Sequence, residues 1–421
     1  MRRAYFGPLM ETFICLMIAM RVAAQPAGPI AQTKECIARG GLPNFFHKLA
    51  TQRQIRIAYL GGSITAAPGG WRDLTFDWFR LNNPHTAFYQ LNATVGGTGS
   101  LLGVFRLDEV LAQQPDLLFV EFAVNDENEA SIDRRILAME GIVRKTWAVL
   151  PYTDICFVYT TAKRFCDTML LQHKRMPALL DHEKIAAHYG IPSIDLGLPV
   201  VRLYLQGKLA LSADPAENAH TIVFWGKGDD YHPLIESGHP VYAETVVKYL
   251  EQMSKKAGVK KHDLPPPFRS DNWQASELIY PPQTALTGDW TKQPEDRKDS
   301  LGAVVPLLYR AGTGATMRFT FRGSGLGLYD IIGPGTGIID VTIDGRTREV
   351  KRFDHNCHYW RRHAIFLDPL ADTVHQVEIK VTGTAFDKSE AMRPGDDPAA
   401  YAPLDWYPIG ILVVGKLYSN Q

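Results

Sequence analysis

The sequence predicts a molecule in two parts. Residues 53–257 read as a flavodoxin-like three-layer α/β/α domain around a five-stranded parallel sheet. Residues 271–421 read as an all-β sandwich of jelly-roll type. Three observations carry this. Strand and helix patterns alternate from Ile55 to about Lys256. The apolar runs Leu117-Leu118-Phe119-Val120 and Ile155-Cys156-Phe157-Val158-Tyr159 are continuous rather than alternating, which marks strands covered on both faces. Beyond Pro265-Pro266-Pro267 the texture changes to short β-rich runs separated by turn signals such as Gly333-Pro334-Gly335 and Asp344-Gly345.

The first 24 residues have the form of a secretory signal. Arg2 and Arg3 make a basic start, Thr12 to Met20 an apolar core too short to span a bilayer, and Val22-Ala23-Ala24 a small-residue cleavage site. A secreted or periplasmic location is therefore expected. A Pro/Ala/Gly-rich lead-in over 25–52 follows, with a short helix expected over 44–50. Strands are expected at 55–60, 86–92, 116–123, 153–160 and 191–195. Helices are expected at 71–82, 101–114, 131–149, 174–189 and 238–256, and a long loop at 207–231. The stretch 258–270 reads as a linker. In the β-part, strands are expected at 315–321, 325–332, 338–343, 363–367, 374–381 and 409–417.

Composition narrows the function. Lysine plus arginine equals aspartate plus glutamate at 45 each, so no electrostatic footprint for nucleic acid or an anionic membrane is present. Losing residues 1–24 removes three basic and one acidic side chain, and the mature chain stays near neutral. Of the five cysteines, Cys15 leaves with the signal. Cys36, Cys156, Cys166 and Cys357 contain no CxxC pair. Cys156 and Cys166 are the nearest pair, but Cys156 lies in an expected buried strand, where an inert thiol is the simpler state.

Four blocks of the first domain carry chemistry. Gly61-Gly62-Ser63 follows the strand 55–60. Asn92-Ala93-Thr94-Val95-Gly96-Gly97-Thr98-Gly99-Ser100 follows the second strand, and Val124-Asn125-Asp126 the third. Asp229-Asp230-Tyr231-His232-Pro233 precedes the last helix. The first three sit at carboxyl ends of parallel strands and so converge on one edge of the sheet. Acyl transfer needs these residue types. A serine hydroxyl is a weak nucleophile until a base takes its proton, and His232 can do so. A carboxylate three residues earlier, Asp229, can orient the imidazole and steady its charged form. A tetrahedral intermediate needs N–H donors for its oxyanion. The Ser63 and Gly97 backbones and the Asn125 amide supply three. Bland readings stand beside these: Gly97 as a turn residue, Asn125-Asp126 as a helix cap, His232 as a loop histidine. A metal held by Asp229, His232 and His239 lacks a tight spacing, and no metal or organic cofactor is expected.

In combination the blocks resemble the SGNH, or GDSL-type, hydrolase superfamily over residues 53–256. Ser63 matches its nucleophile, Gly97 its block-two glycine, Asn125 its block-three asparagine, and Asp229 and His232 its last pair. Gly238-His239 resembles the start of that family's terminal helix. The chain departs at Gly62, where the GDSL pattern has Asp, and at Ala123, where the third block often has Gly. The fuller runs Leu60-Gly61-Gly62-Ser63-Ile64-Thr65 and Phe119-Val120-Glu121-Phe122-Ala123-Val124-Asn125-Asp126 are similar to those of secreted bacterial carbohydrate acetylesterases, acetylxylan-esterase-like enzymes among them.

That resemblance implies a serine esterase. It would remove O-acetyl groups from plant cell-wall polysaccharides of xylan or xyloglucan type through an acetyl-enzyme. A lipid-directed esterase or thioesterase, or a carbohydrate-binding protein without turnover, are the alternatives. Trp71 and Trp225 lie near the motifs and either stack on sugar rings or pack in the core. Arg72 either bonds substrate or makes an internal ion pair. The β-part either binds glycan, through His358, Tyr359 and Trp360, or stabilises the first domain.

Overall fold

The structure, a computed structural model, describes residues 32–128, 131–294, 305 and 307–418. The expected signal segment lies outside them. The lead-in supplies a two-residue strand, β1 (Cys36–Ile37), and a helix, α1 (Pro43–Thr51). Next come β2 (Gln54–Gly61), β3 (Ala87–Asn92), β4 (Leu117–Glu121), β5 (Asp154–Tyr159) and β6 (Ser193–Asp195). These five are parallel and pair in the order β3-β2-β4-β5-β6. β1 adds an antiparallel edge to β6, one strand more than expected. A strand of two residues has no periodicity to read.

The helices are α2 (Ser63–Ala66), α3 (Trp71–Asn82), α4 (Ser100–Leu111), α5 (Ala123–Asp126), α6 (Ile132–Val149), α7 (Lys163–Gln172), α8 (Pro177–Tyr189), α9 (Gly197–Leu205) and α10 (Gly238–Met253). α3 packs on α10, while α4 and α8 pack on α6. Every residue of β4 and of β5 is buried, as their unbroken apolar runs require. Because β2 lies between β3 and β4, the winding of the chain reverses there. In open α/β sheets, sites fall beyond the carboxyl ends of the strands at such a reversal.

Two sequence expectations change. The helix expected at 174–189 starts at Pro177, a favoured first helical position, and α7 precedes it. The expected loop 207–231 holds a parallel pair, β7 (Leu209–Ala213) and β8 (Ile222–Gly226). The β-branched and aromatic run Ile222-Val223-Phe224-Trp225 is the signal for it.

The second domain is antiparallel. Its strands are β9 (Ser276–Ile279), β10 (Ala285–Thr287), β11 (Trp290–Lys292), β12 (Tyr309–Ala311), β13 (Thr316–Ile332), β14 (Ile338–Ile343), β15 (Arg346–Lys351), β16 (Arg361–Phe366), β17 (Thr373–Val381) and β18 (Tyr407–Leu417). The two strands expected at 315–321 and 325–332 are one 17-residue strand, β13. Its pairing with β18 slips between Gly323 and Gly325, where a bulge reverses the alternation. Met317, Phe319 and Phe321 before the bulge, and Leu326 and Leu328 after it, therefore all enter the same core.

The opposite face of this strand and of β18 presents Tyr329, Ile331, Tyr407, Leu412 and Val414 to the core of the first domain. Phe105 of α4, Trp273 and Phe366 add an aromatic cluster at that seam, with ring centroids 5.1 to 5.7 Å apart. Gly141 lets α6 approach the backbone of Trp273, since a Cβ there would lie 2.7 Å from the Trp273 carbonyl carbon. The stretch 258–270 has no regular structure, yet it lies against the first domain. His262 stacks on Trp147 at 4.4 Å and meets Asp154 at 2.7 Å, and Glu140 accepts the Phe268 and Arg269 N–H groups.

The two domains thus share a continuous apolar contact. Deleting residues 271–421 should leave α4 and α6 uncovered and give an aggregated first domain. Solubility of the truncated chain after expression measures this, and a soluble monomer of undiminished melting temperature would contradict it. Trp360 does not stand free on the surface: its ring packs 4.9 Å from that of Tyr407, while Tyr359 is exposed. Cys156 and Cys166 are buried and unbridged, and burial pushes the Cys166 thiol up to about 12.

Candidate active site

The site is built by three strand ends and one loop. β2 ends at Gly61, paired with Glu121 of β4, and the chain turns through Gly62 in extended conformation so that Ser63 opens α2. The first N–H groups of a helix have no partner within it, so the Ser63 N–H is left for a ligand. Gly62 leaves room for Asn125. A Cβ at that position would meet the Asn125 side-chain oxygen, so the amide would have to shift, and would lie 3.5 Å from the Thr98 carbonyl. Asn125 and Thr98, next to Gly97, thus both lie close to the turn that carries Ser63. Gly97 itself has φ +72, in the left-handed region, and is exposed.

The base arrives on the loop after β8. That excursion is pinned at its neck by the Trp225–Pro233 bridge and the Leu234 N–H to Phe224 carbonyl bond of 2.8 Å. Near its tip the Lys163 N–H donates to the Asp230 carbonyl at 2.9 Å. His232 Nε2 lies 2.9 Å from Ser63 Oγ, and His232 Nδ1 lies 3.0 Å from Asp229 Oδ2. The other Asp229 oxygen accepts the Tyr231 and His232 N–H groups at 2.9 and 3.0 Å. Burial works to raise the Asp229 pKa, but these donors and the imidazole outweigh it, and the net shift is downward. Asp229, not Asp230, meets the ring. The site is open: the side chains of His232 and Asp229 are each 49% exposed.

Ser63, His232 and Asp229 are thus joined by hydrogen bonds, and Asn125 and the Gly97 loop border the same turn. Trp71, Arg72 and Trp225 are not part of this surface. Trp71 and Trp225 are fully buried, so neither can stack on a sugar. Trp71 packs edge-on against Tyr59 and Phe119, and Trp225 against Phe224. Arg72 is buried and paired with Asp73 through bonds of 2.9 and 3.0 Å. Trp71 follows Gly70 at the start of α3, Arg72 comes next on the same helix, and Trp225 lies within β8. His239 is likewise buried. Its Nδ1 accepts the Trp71 N–H at 3.1 Å, and burial lowers its pKa to about 4, so it is a neutral packing group.

One feature differs from the sequence reading and two escaped it. Asp126, read with Asn125 as a helix cap, turns inward, accepts the Ser100 N–H at 2.8 Å at the start of α4, and meets His182 Nε2 at 2.9 Å. Glu121, the last residue of β4, is buried beneath the Ser63 turn. At the mouth, Tyr231 is exposed next to His232, with the Arg164 guanidinium 5.7 Å from its ring and 3.0 Å from the Asn128 side-chain oxygen. A carboxylate inside an apolar run, as in Leu117-Leu118-Phe119-Val120-Glu121, was the available signal for Glu121.

Among solved structures, the chain is similar to a two-domain esterase (CEX) active on acetylated mannans. The two share 18% identity over 88% of this chain and 94% of that one, with a TM-score of 0.68. The same esterase co-crystallized with mannopentaose matches at 18% identity over 89% and 94%, with a TM-score of 0.66. This chain has that two-domain fold. The likeness spans both domains, so the β-domain belongs to the shared architecture and is not a separate appendage. No protein-family model matches the chain, and no curated protein does.

Proposed function

We propose that the protein is a serine esterase that removes O-acetyl groups from plant cell-wall polysaccharides. The single observation that carries this is the unbroken chain Ser63 Oγ–His232–Asp229 at 2.9 and 3.0 Å, at the carboxyl edge of a parallel sheet. Asp229 holds the proton on Nδ1, which leaves the Nε2 lone pair facing the hydroxyl. Ser63 Oγ attacks the acetyl carbonyl as His232 takes its proton. The Ser63 N–H, the Gly97 N–H and the Asn125 amide receive the oxyanion. His232 then returns the proton to the departing sugar hydroxyl. Water, deprotonated by the same imidazole, releases acetate from Ser63.

An open site suits a polymer lying across the surface better than a long acyl chain held in a tunnel. The fold shared with an esterase active on acetylated mannans adds acetylated mannan to the xylan and xyloglucan types inferred from the sequence. Export, read from residues 1–24, would bring the enzyme to such substrates. Acetate release from acetylated mannan, xylan and xyloglucan should exceed hydrolysis of long-chain nitrophenyl esters. Turnover confined to long acyl chains would defeat the carbohydrate reading.

Tyr231 takes the place in this scheme that Trp71 and Trp225 cannot fill. Its exposed ring beside the base offers a stacking face for the sugar that bears the acetyl group. Tyr231→Ala should raise KM for the acetylated glycan by about 3- to 30-fold, a loss of roughly 0.5–2 kcal/mol. It should leave nitrophenyl acetate turnover within about twofold. Equal losses on both substrates would show that the ring serves the His232 loop and not the sugar.

A further inference from the structure

Glu121 is a carboxyl group where the surrounding strand is apolar. It is 1% exposed, and burial raises its pKa. Burying such a group costs stability unless donors surround it, and an apolar side chain at the site would avoid the cost. The donors here come from two elements. Thr65 Oγ1, on α2, donates to Oε2 at 2.7 Å. Thr160 Oγ1, just past β5, donates to Oε1 at 2.7 Å.

The network continues outward. Thr65 Oγ1 accepts the Trp71 indole N–H at 3.3 Å, and the Trp71 backbone N–H reaches His239 on α10. Glu121 therefore ties the helix that opens with Ser63 to the ends of β4 and β5. Through Trp71 it also connects to the helix that follows the His232 loop.

We propose that Glu121 is a positioning residue for the nucleophile. It holds the Gly62–Thr65 turn so that Ser63 Oγ faces His232 and the Ser63 N–H faces the oxyanion. Gly61 pairs with Glu121 in the β2–β4 ladder, and Thr65 bonds the Glu121 carboxyl. The Ala66 and Ala67 N–H groups are bound to the Gly62 and Ser63 carbonyls at 3.0 and 3.1 Å. The turn is thus anchored at both ends, with Ser63 between the anchors. Such anchoring lowers the barrier without touching substrate, because a misplaced nucleophile is costly even at small displacements.

The proposal rests on the esterase reading, and one set of measurements separates the two. Wild type, Glu121→Gln and Thr65→Val are compared by melting temperature, by kcat and KM on nitrophenyl acetate, and by the rate of covalent labelling with an organophosphonate. Glutamine keeps the shape but removes one acceptor oxygen. Folded Glu121→Gln should lose about 10- to 100-fold in both kcat and labelling rate, with KM within about threefold. Thr65→Val should lose less in the same two quantities. A folded Glu121→Gln with kcat and labelling unchanged would overturn the positioning role while leaving the esterase intact. Should Glu121→Gln not fold, Thr65→Val decides: parallel losses in kcat and labelling support the role, and unchanged rates refute it. Wild type inert toward both the ester and the phosphonate would remove the esterase reading, and this proposal with it.

Discussion

Ser63→Ala should reduce kcat on acetyl esters by roughly 10⁴- to 10⁶-fold, the range expected when a triad serine is removed. The reason is local. Ser63 Oγ is the oxygen that His232 Nε2 meets, at 2.9 Å, and alanine leaves the imidazole no nucleophile except water. The change should not disturb the fold. Ser63 is only half-buried, and α2 is held by the Ala66 and Ala67 N–H bonds, which the substitution leaves in place. Organophosphonate labelling should disappear with activity, while substrate affinity for a glycan should survive. Nitrophenyl acetate turnover together with the melting temperature measures this. Activity near wild type in a folded Ser63→Ala protein would end the acyl-enzyme mechanism.

Asp229→Asn is expected to cost about 10³- to 10⁴-fold in kcat, with KM little changed. The geometry explains why the isosteric change is so damaging. The Asp229 oxygen that accepts the Tyr231 and His232 N–H groups can be kept by asparagine, so the loop retains its shape. The position facing His232 Nδ1 becomes an NH2 donor. The imidazole must then accept at Nδ1 and carry its proton on Nε2, directed at Ser63, where it cannot act as a base. Asp230→Asn is the control and should stay within about twofold of wild type, since Asp229 alone meets the ring. Because the pKa of Asp229 is shifted downward, its carboxylate stays ionised as the pH falls into the ordinary carboxylate range. Its protonation should therefore not set the acidic limit of activity above that range. Equal losses in Asp229→Asn and Asp230→Asn would point to damage of the loop and not to the tautomer.

The parts of the site that were legible were those where chemistry dictates residue type and order along the chain. A nucleophile after the first parallel strand, an asparagine after the third and Asp-x-x-His before the last helix can be recognised because parallel strands bring their carboxyl ends to one edge. The aromatic residues were not legible in the same way. Trp71 and Trp225 have the size and polarity to serve either a sugar or the core. The choice depends on which side of a helix or strand faces in. Trp71 opens α3 facing Tyr59 and Phe119, and Trp225 lies in β8 at the neck of the His232 loop. Tyr231, one residue from the base, was overlooked because its exposure is decided by the loop alone.

The second domain shows the same division. Its β-character and its turns were visible, but β13 read as two strands because Gly323-Ser324-Gly325 resembles a turn. It is instead a bulge, and the pairing with β18 continues across it and holds the strand together. Sequence by itself determined the sheet type of each domain and the identity and order of Ser63, Gly97, Asn125, Asp229 and His232, since periodicity and reactive groups are local properties. Only tertiary structure decided that Glu121 reaches Thr65 and Thr160, that Trp71 turns inward, and that β13 and β18 cover the first domain. Those outcomes depend on which segments meet in space, and contacts between residues tens to hundreds of positions apart leave no trace in the local pattern of either segment.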